Sequence, residues 1–99
     1  MNNINDVRLV GTLTNVSISK FTLLGNEYCF IRLKVIRQSV NGGEETEHVW
    51  IKLYNGLVRL IKQGVVRHGD TLEIIGSVKS YGRKTNVVAS KITRLPAIW

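Results

Sequence analysis

Near the middle of the chain, His48-Val49-Trp50-Ile51-Lys52-Leu53-Tyr54 alternates strictly between aliphatic residues and residues with rings or charge. In an extended strand, alternate side chains share a face. Val49, Ile51 and Leu53 then form one side, and His48, Trp50, Lys52 and Tyr54 form the other. An earlier stretch repeats the arrangement. There Cys29, Ile31, Leu33 and Val35 alternate with Phe30, Arg32 and Lys34, and Tyr28 stands at the start. Two such strands side by side interleave rings and cations on one surface. Nucleobases stack on exposed rings for about 1–3 kcal/mol each, with little sequence preference. Lysine and arginine between the rings contact phosphates. The expected chemistry is non-sequence-specific capture of a single nucleic-acid strand.

The same pairing of ring and cation recurs in two turns. Lys79, Tyr81, Arg83 and Lys84 cluster around one, and Lys20 and Phe21 lie in another. A structural reading competes at each position. With the face reversed, Trp50 and Tyr54 belong to the core, or they pack in a subunit interface. Tyr28 and Phe30 then plug the end of a barrel, and His48 is an ordinary exposed histidine. Arg59, Lys62 and Arg67 fall on the outer face of a helix and read as solvated.

These residues need a scaffold, and the order of elements supplies one. A first strand over residues 7–16 sets Val7, Leu9, Gly11 and Leu13 on one face, with Gly11 marking a bend or bulge. The turn Leu24-Gly25-Asn26-Glu27 leads to a second strand over 28–39. A flexible acidic turn over 40–45 leads to the third, over 47–54. The period then changes. Leu57, Leu60, Ile61, Gly64 and Val65 recur at helical spacing, with Asn55 as N-cap and Gly69 as stop. Gly64 weakens this helix by about 1 kcal/mol relative to alanine and marks a close approach to the sheet. A fourth strand over 71–80 turns Leu72, Ile74, Gly76 and Val78 inward, and a fifth covers 85–95. Three strands, a helix and two strands is the order of the OB-fold, a five-stranded Greek-key barrel with its helix between strands three and four. The 99 residues suffice for one such domain, spanning 1–99.

Composition narrows the function classes. Lys and Arg number 14 against 7 Asp and Glu, a net charge of +7. Three of the acids, Glu44, Glu45 and Glu47, share one short segment. A small basic domain suits a polyanion, because neutralised phosphates release counterions. The single cysteine, Cys29, alternates with core positions and reads as a small buried hydrophobe. His48 and His68 are far apart, so no metal cluster is expected. Gly82-Arg83-Lys84-Thr85 lacks the spacing of a phosphate-binding loop. The chain is expected to be no enzyme and to need no cofactor. Without a signal peptide or an apolar span, it is expected in the cytoplasm, away from membranes. Two other readings stay open: a barrel that binds proteins through the exposed rings, and one that takes RNA or oligosaccharide.

Three segments resemble one family. Asn5-Asp6-Val7-Arg8-Leu9-Val10-Gly11-Thr12-Leu13 is similar to the opening strand of the bacterial single-stranded-DNA-binding proteins. Thr46-Glu47-His48-Val49-Trp50-Ile51-Lys52-Leu53-Tyr54 is similar to their third strand. His68-Gly69-Asp70-Thr71-Leu72-Glu73-Ile74-Ile75-Gly76 is similar to their entry into the fourth. The likeness covers about residues 4–94. It implies a homodimer or homotetramer that wraps single-stranded DNA in replication, recombination or repair, with Tyr54 stacking on a base. The family's tryptophan early in that strand falls on His48, whereas here Trp50 stands two residues on, on the same face. The family's acidic tail recruits repair and replication proteins. It has no counterpart in Leu95-Pro96-Ala97-Ile98-Trp99, so either the chain is truncated or it lacks that hub function. With the short last turn, this resembles the primosomal replication protein B branch, a tail-less dimeric relative that helps load helicase at restart. That branch implies primosome proteins as partners. The same traits suit a bacterial, phage or plasmid homologue.

Overall fold

The period-two runs become strands. The computed structural model describes residues 5–96. Its strands are β1 (Val7–Val16), β2 (Lys20–Phe21), β3 (Glu27–Gln38), β4 (Glu44–Tyr54), β5 (Thr71–Tyr81) and β6 (Lys84–Leu95), with α1 (Gly56–Lys62) between β4 and β5. The sheet order is β1-β5-β6-β4-β3-β2, and β1 also pairs with β3, so five long strands close into a barrel. The ladders are antiparallel except for the seam between β4 and β6, where Ile51 lies beside Val87 and Lys52 beside Val88. This is the Greek-key barrel expected from the element order. The two-residue β2 is an addition: Lys20 pairs with Tyr28 and Phe21 with Glu27, which makes the first loop a hairpin on β3. Among the described residues, no helix is long and apolar enough to cross a membrane. The terminal segments 1–4 and 97–99 lie outside the described residues.

The inward faces fill the barrel. Leu13, Ile31, Leu33, Ile51, Leu53, Leu72 and Ile74 are fully buried, with Cys29, Val58, Val66 and Ala89 beside them. Each large aliphatic side chain contributes about 1.5–3 kcal/mol by leaving water. Cys29 is one of this set, and burial pushes its thiol pKa up, as expected of a small hydrophobe. Closure rests on Gly11 and Gly76, each crossed closely by backbone of a neighbouring strand. A β-carbon on Gly11 would lie 2.6 Å from the Lys34 carbonyl oxygen, where β1 passes from β5 to β3. The bulge itself falls at Thr14, between the pairs Leu13–Leu33 and Asn15–Arg32.

The structure corrects five sequence expectations. The helix stops before Gly64, which adopts φ 72°. Its N–H donates to Ile61 O and that of Val65 to Leu60 O, a left-handed C-terminal cap. Gly64 therefore ends the helix, and Gly69 does not. That turn rotates the chain, so Val65 is exposed and Val66 is buried. Asn55 stands at the N-cap position but caps nothing with its side chain. Its Oδ1 accepts the Glu27 N–H at 3.1 Å, which straps the end of β4 to the start of β3. Val78 is exposed, because β5 and β6 run on past the barrel body. The acidic segment belongs to β4, where Glu45 and Glu47 hold Arg37 at 2.8 and 3.1 Å.

Glu27 also ties the helix to the barrel. Its carboxylate accepts from the Lys62 ammonium and, at 3.0 Å, from the Ser19 hydroxyl. The bond from Lys62 holds the carboxyl below its ordinary value of 4.5. A depressed carboxyl stabilises the fold above its unfolded pKa, and that stability is lost as pH falls through the folded pKa. Glu27→Gln should therefore melt below the wild type at neutral pH, and the gap should close below about pH 4.5. A gap of equal size in strongly acidic buffer would show that the tether does not act through charge.

Candidate nucleic-acid interface

The register of β3 against β4 decides what the outer face presents. Tyr28 faces Tyr54, Phe30 faces Lys52, Arg32 faces Trp50 and Lys34 faces His48. Each cross-strand pair joins two rings or a ring and a cation. The seven residues named first in the sequence, with Tyr28, therefore form one row. Tyr28 meets Phe30 edge-on at 6.3 Å and Tyr54 at the same separation with tilted rings. The Lys52 ammonium lies 4.6 Å from the centre of Tyr28, 4.9 Å from Tyr54 and 5.8 Å from Phe30. The Arg32 guanidinium lies 5.8 Å from the Trp50 ring. Trp50 is 48% exposed, so the reversed-face reading fails.

Local structure holds these groups in place. The bulge at Thr14 brings its hydroxyl to Arg32, where it accepts from Nε at 3.2 Å and donates to the Arg32 carbonyl at 3.1 Å. The Ser17 N–H donates to the Phe30 carbonyl, and Ser17 Oγ accepts the Phe30 N–H, both at 2.8 Å. One strand's irregularity thus fixes the cation that covers Trp50.

Two shallow cavities flank the row. One, about 330 Å³, is lined by Ser17, Ile18, Lys20, Tyr28 and Phe30. The other, about 550 Å³, lies between the tip of the β2–β3 hairpin (Leu23, Leu24 and Asn26), Tyr54 and Lys79. Lys20 and Lys79 are therefore gathered to the row. Arg83 is exposed at the tip of the β5–β6 turn and Lys84 is exposed beside it. Among the described residues, no contact ties either to the row. The Tyr81 side chain lies outside what is described. Leu23 and Leu24, exposed at 107% and 91%, were not anticipated. Adjacent leucines just before a Gly-Asn turn were their signal, since a turn tip has no interior to bury them.

No protein-family profile matches the chain, and no curated protein does. Solved structures match. PriB from Ralstonia solanacearum superposes with a TM-score of 0.79 at 15% identity, over 93% of this chain and 98% of that one. The single-stranded DNA binding protein from Thermus aquaticus gives 0.72 at 23%, over 95% of this chain and 41% of that one. The dimeric N-terminal domain of PriB from Thermoanaerobacter tencongensis gives 0.70 at 26%, over 94% and 98%. The chain has the OB-fold of the PriB and single-stranded-DNA-binding proteins. The second is the family that the three strand motifs resemble, and the first is the branch that the short last turn and the final residues resemble. Within this OB-fold the row of rings lies on the outer face of β3 and β4, and the β2–β3 hairpin and Lys79 of β5 border it.

Proposed function

We propose that the chain binds single-stranded DNA without sequence preference, as a homodimer or homotetramer, in DNA replication, recombination or repair. The observation that carries this reading is the β3–β4 register, which alternates stacking rings with cations along one exposed face. Bases stack on Trp50, Tyr54, Phe30 and Tyr28, and the phosphates between them meet Arg32, Lys34 and Lys52. Lys79 and Lys20 extend the track at the two cavities, and His48 lies at its far end. Arg83, Lys84 and Tyr81 belong to the track only if the β5–β6 hairpin folds over the strand. The role is one of binding and not catalysis. In an OB barrel this face and its flanking loops are where oligonucleotides are held.

The salt dependence of oligo(dT) binding, followed by fluorescence anisotropy, tests the proposal. If Arg32, Lys34, Lys52, Lys79 and Lys20 each neutralise one phosphate, log K should fall against log salt with a slope of about −3.5. Oligo(U) and duplex DNA in the same titration should bind more weakly. Absence of single-strand binding at low salt would overturn the proposal. The likeness to PriB favours a second reading, a primosome or replication-restart accessory. On that reading, a replication protein held by a salt-insensitive contact would be the main partner.

A further inference from the structure

We infer that Lys52 occupies the stacking surface in the free protein and leaves it when DNA binds, so that capture of a strand is an exchange of a cation for a base. This rests on the single-strand reading above and specifies how that site works. Three rings of the row, Tyr28, Tyr54 and Phe30, converge on one ammonium at 4.6, 4.9 and 5.8 Å. A cation over a ring is held by the ring's quadrupole. It also covers the π-face that a base needs, so cation and base compete for the same area.

Of the three cations of the row, Arg32 and Lys52 lie over rings, and these two differ in their freedom. Arg32 lies over Trp50, but its Nε is held by the Thr14 hydroxyl at the bulge. Its planar group can stay where it is and stack beside a base. Lys52 carries a compact charge on a flexible four-carbon stem. Swung outward, the same ammonium meets a phosphate of the strand whose base has taken its place. One residue thus links the stacking and electrostatic parts of binding. It opposes the first until it supplies the second.

The exchange has a signature that a fixed phosphate contact lacks. High salt weakens the phosphate contact but leaves the competition for the rings. Lys52→Met keeps a stem of similar length without the charge. Its log K against log salt should be shallower than the wild type by about 0.7, the loss of one phosphate contact on a single strand. The two lines should cross. Lys52→Met should bind more weakly at low salt and on the order of threefold more tightly at high salt, where the uncovered rings dominate.

Nuclear magnetic resonance on the wild-type protein gives an independent reading. Ring currents should shift the Lys52 ε-methylene protons upfield in the free protein, and saturating oligo(dT) should return them toward ordinary values. The inference is overturned if those protons keep their free-state shift in the complex. A Lys52→Met line at or below the wild type at every salt concentration overturns it too. If the wild type binds no single strand at all, the parent reading fails first and this one falls with it. A wild type that binds with Lys52 still over the rings removes the exchange alone.

Discussion

Replacing both Trp50 and Tyr54 with alanine should nearly abolish binding of short oligo(dT) while leaving the fold intact. Each ring offers a base about 1–3 kcal/mol of stacking, so each single variant should bind roughly 5- to 150-fold more weakly. The double variant should approach the product of the two, less any coupling through the shared strand. Both side chains point away from the core. Trp50 is half exposed and Tyr54 is partly so, and the aliphatic face of β4 is untouched by the change. The melting temperature is the control, and it should move little. His48→Ala on the same face should have a small effect, since His48 lies at the end of the row, opposite Lys34. A double variant that binds within about twofold of the wild type would remove stacking on β4 from the mechanism.

The largest effect on stability should come from one added methyl group. A β-carbon on Gly76 would lie 2.1 Å from the Val88 carbonyl oxygen and 2.9 Å from its carbon. Both are backbone atoms of the paired strand, so no rotamer change relieves the clash and β5 must part from β6. The site has little slack, because β6 already carries an extra residue there. Ser90 stands between the partners of Ile75 and Gly76 and donates its hydroxyl to the Ile75 carbonyl at 3.1 Å. Overpacking of this kind costs about 1–3 kcal/mol or more. For a chain of this size, Gly76→Ala should lower the melting temperature on the order of 5–20 °C. Gly43→Ala is the matched control. Its nearest neighbour would be Ser39 Oγ at 3.6 Å, and its cost should stay within about 0.5 kcal/mol. Equal melting of the two variants would show that the crossing at Gly76 has room to give.

The sequence carried most of the site because strand period and chemistry coincide there. Cys29, Ile31 and Leu33 go in while Phe30 and Arg32 go out, and β4 repeats this without a break. A period of two fixes the face of every residue once one is known. Legibility ended where the backbone leaves a regular period. Gly64 in the left-handed region rotates everything after it, so helical spacing misassigned Val65 and passed over Val66. Val78 keeps its strand parity but lies beyond the barrel, and parity cannot report where a cavity ends. β2 is too short to show any period. Thr14 reaches Arg32 through a bulge, which depends on how two distant strands mesh, and no local pattern encodes that.

The parallel seam between β4 and β6 has a dynamic consequence. Among the described residues, only Ile51 with Val87 and Lys52 with Val88 join there, whereas the β3–β4 and β5–β6 hairpins are zipped along their lengths. Proteins breathe first where cooperative contacts are sparse. Backbone amides along this seam should therefore trade their hydrogens for deuterium before those in either hairpin. β4 carries the seam and, on its outer face, Trp50 and Tyr54. A strand of DNA clamped across its outer face would brace the slit from outside, so bound DNA would slow the exchange of inner amides it never touches.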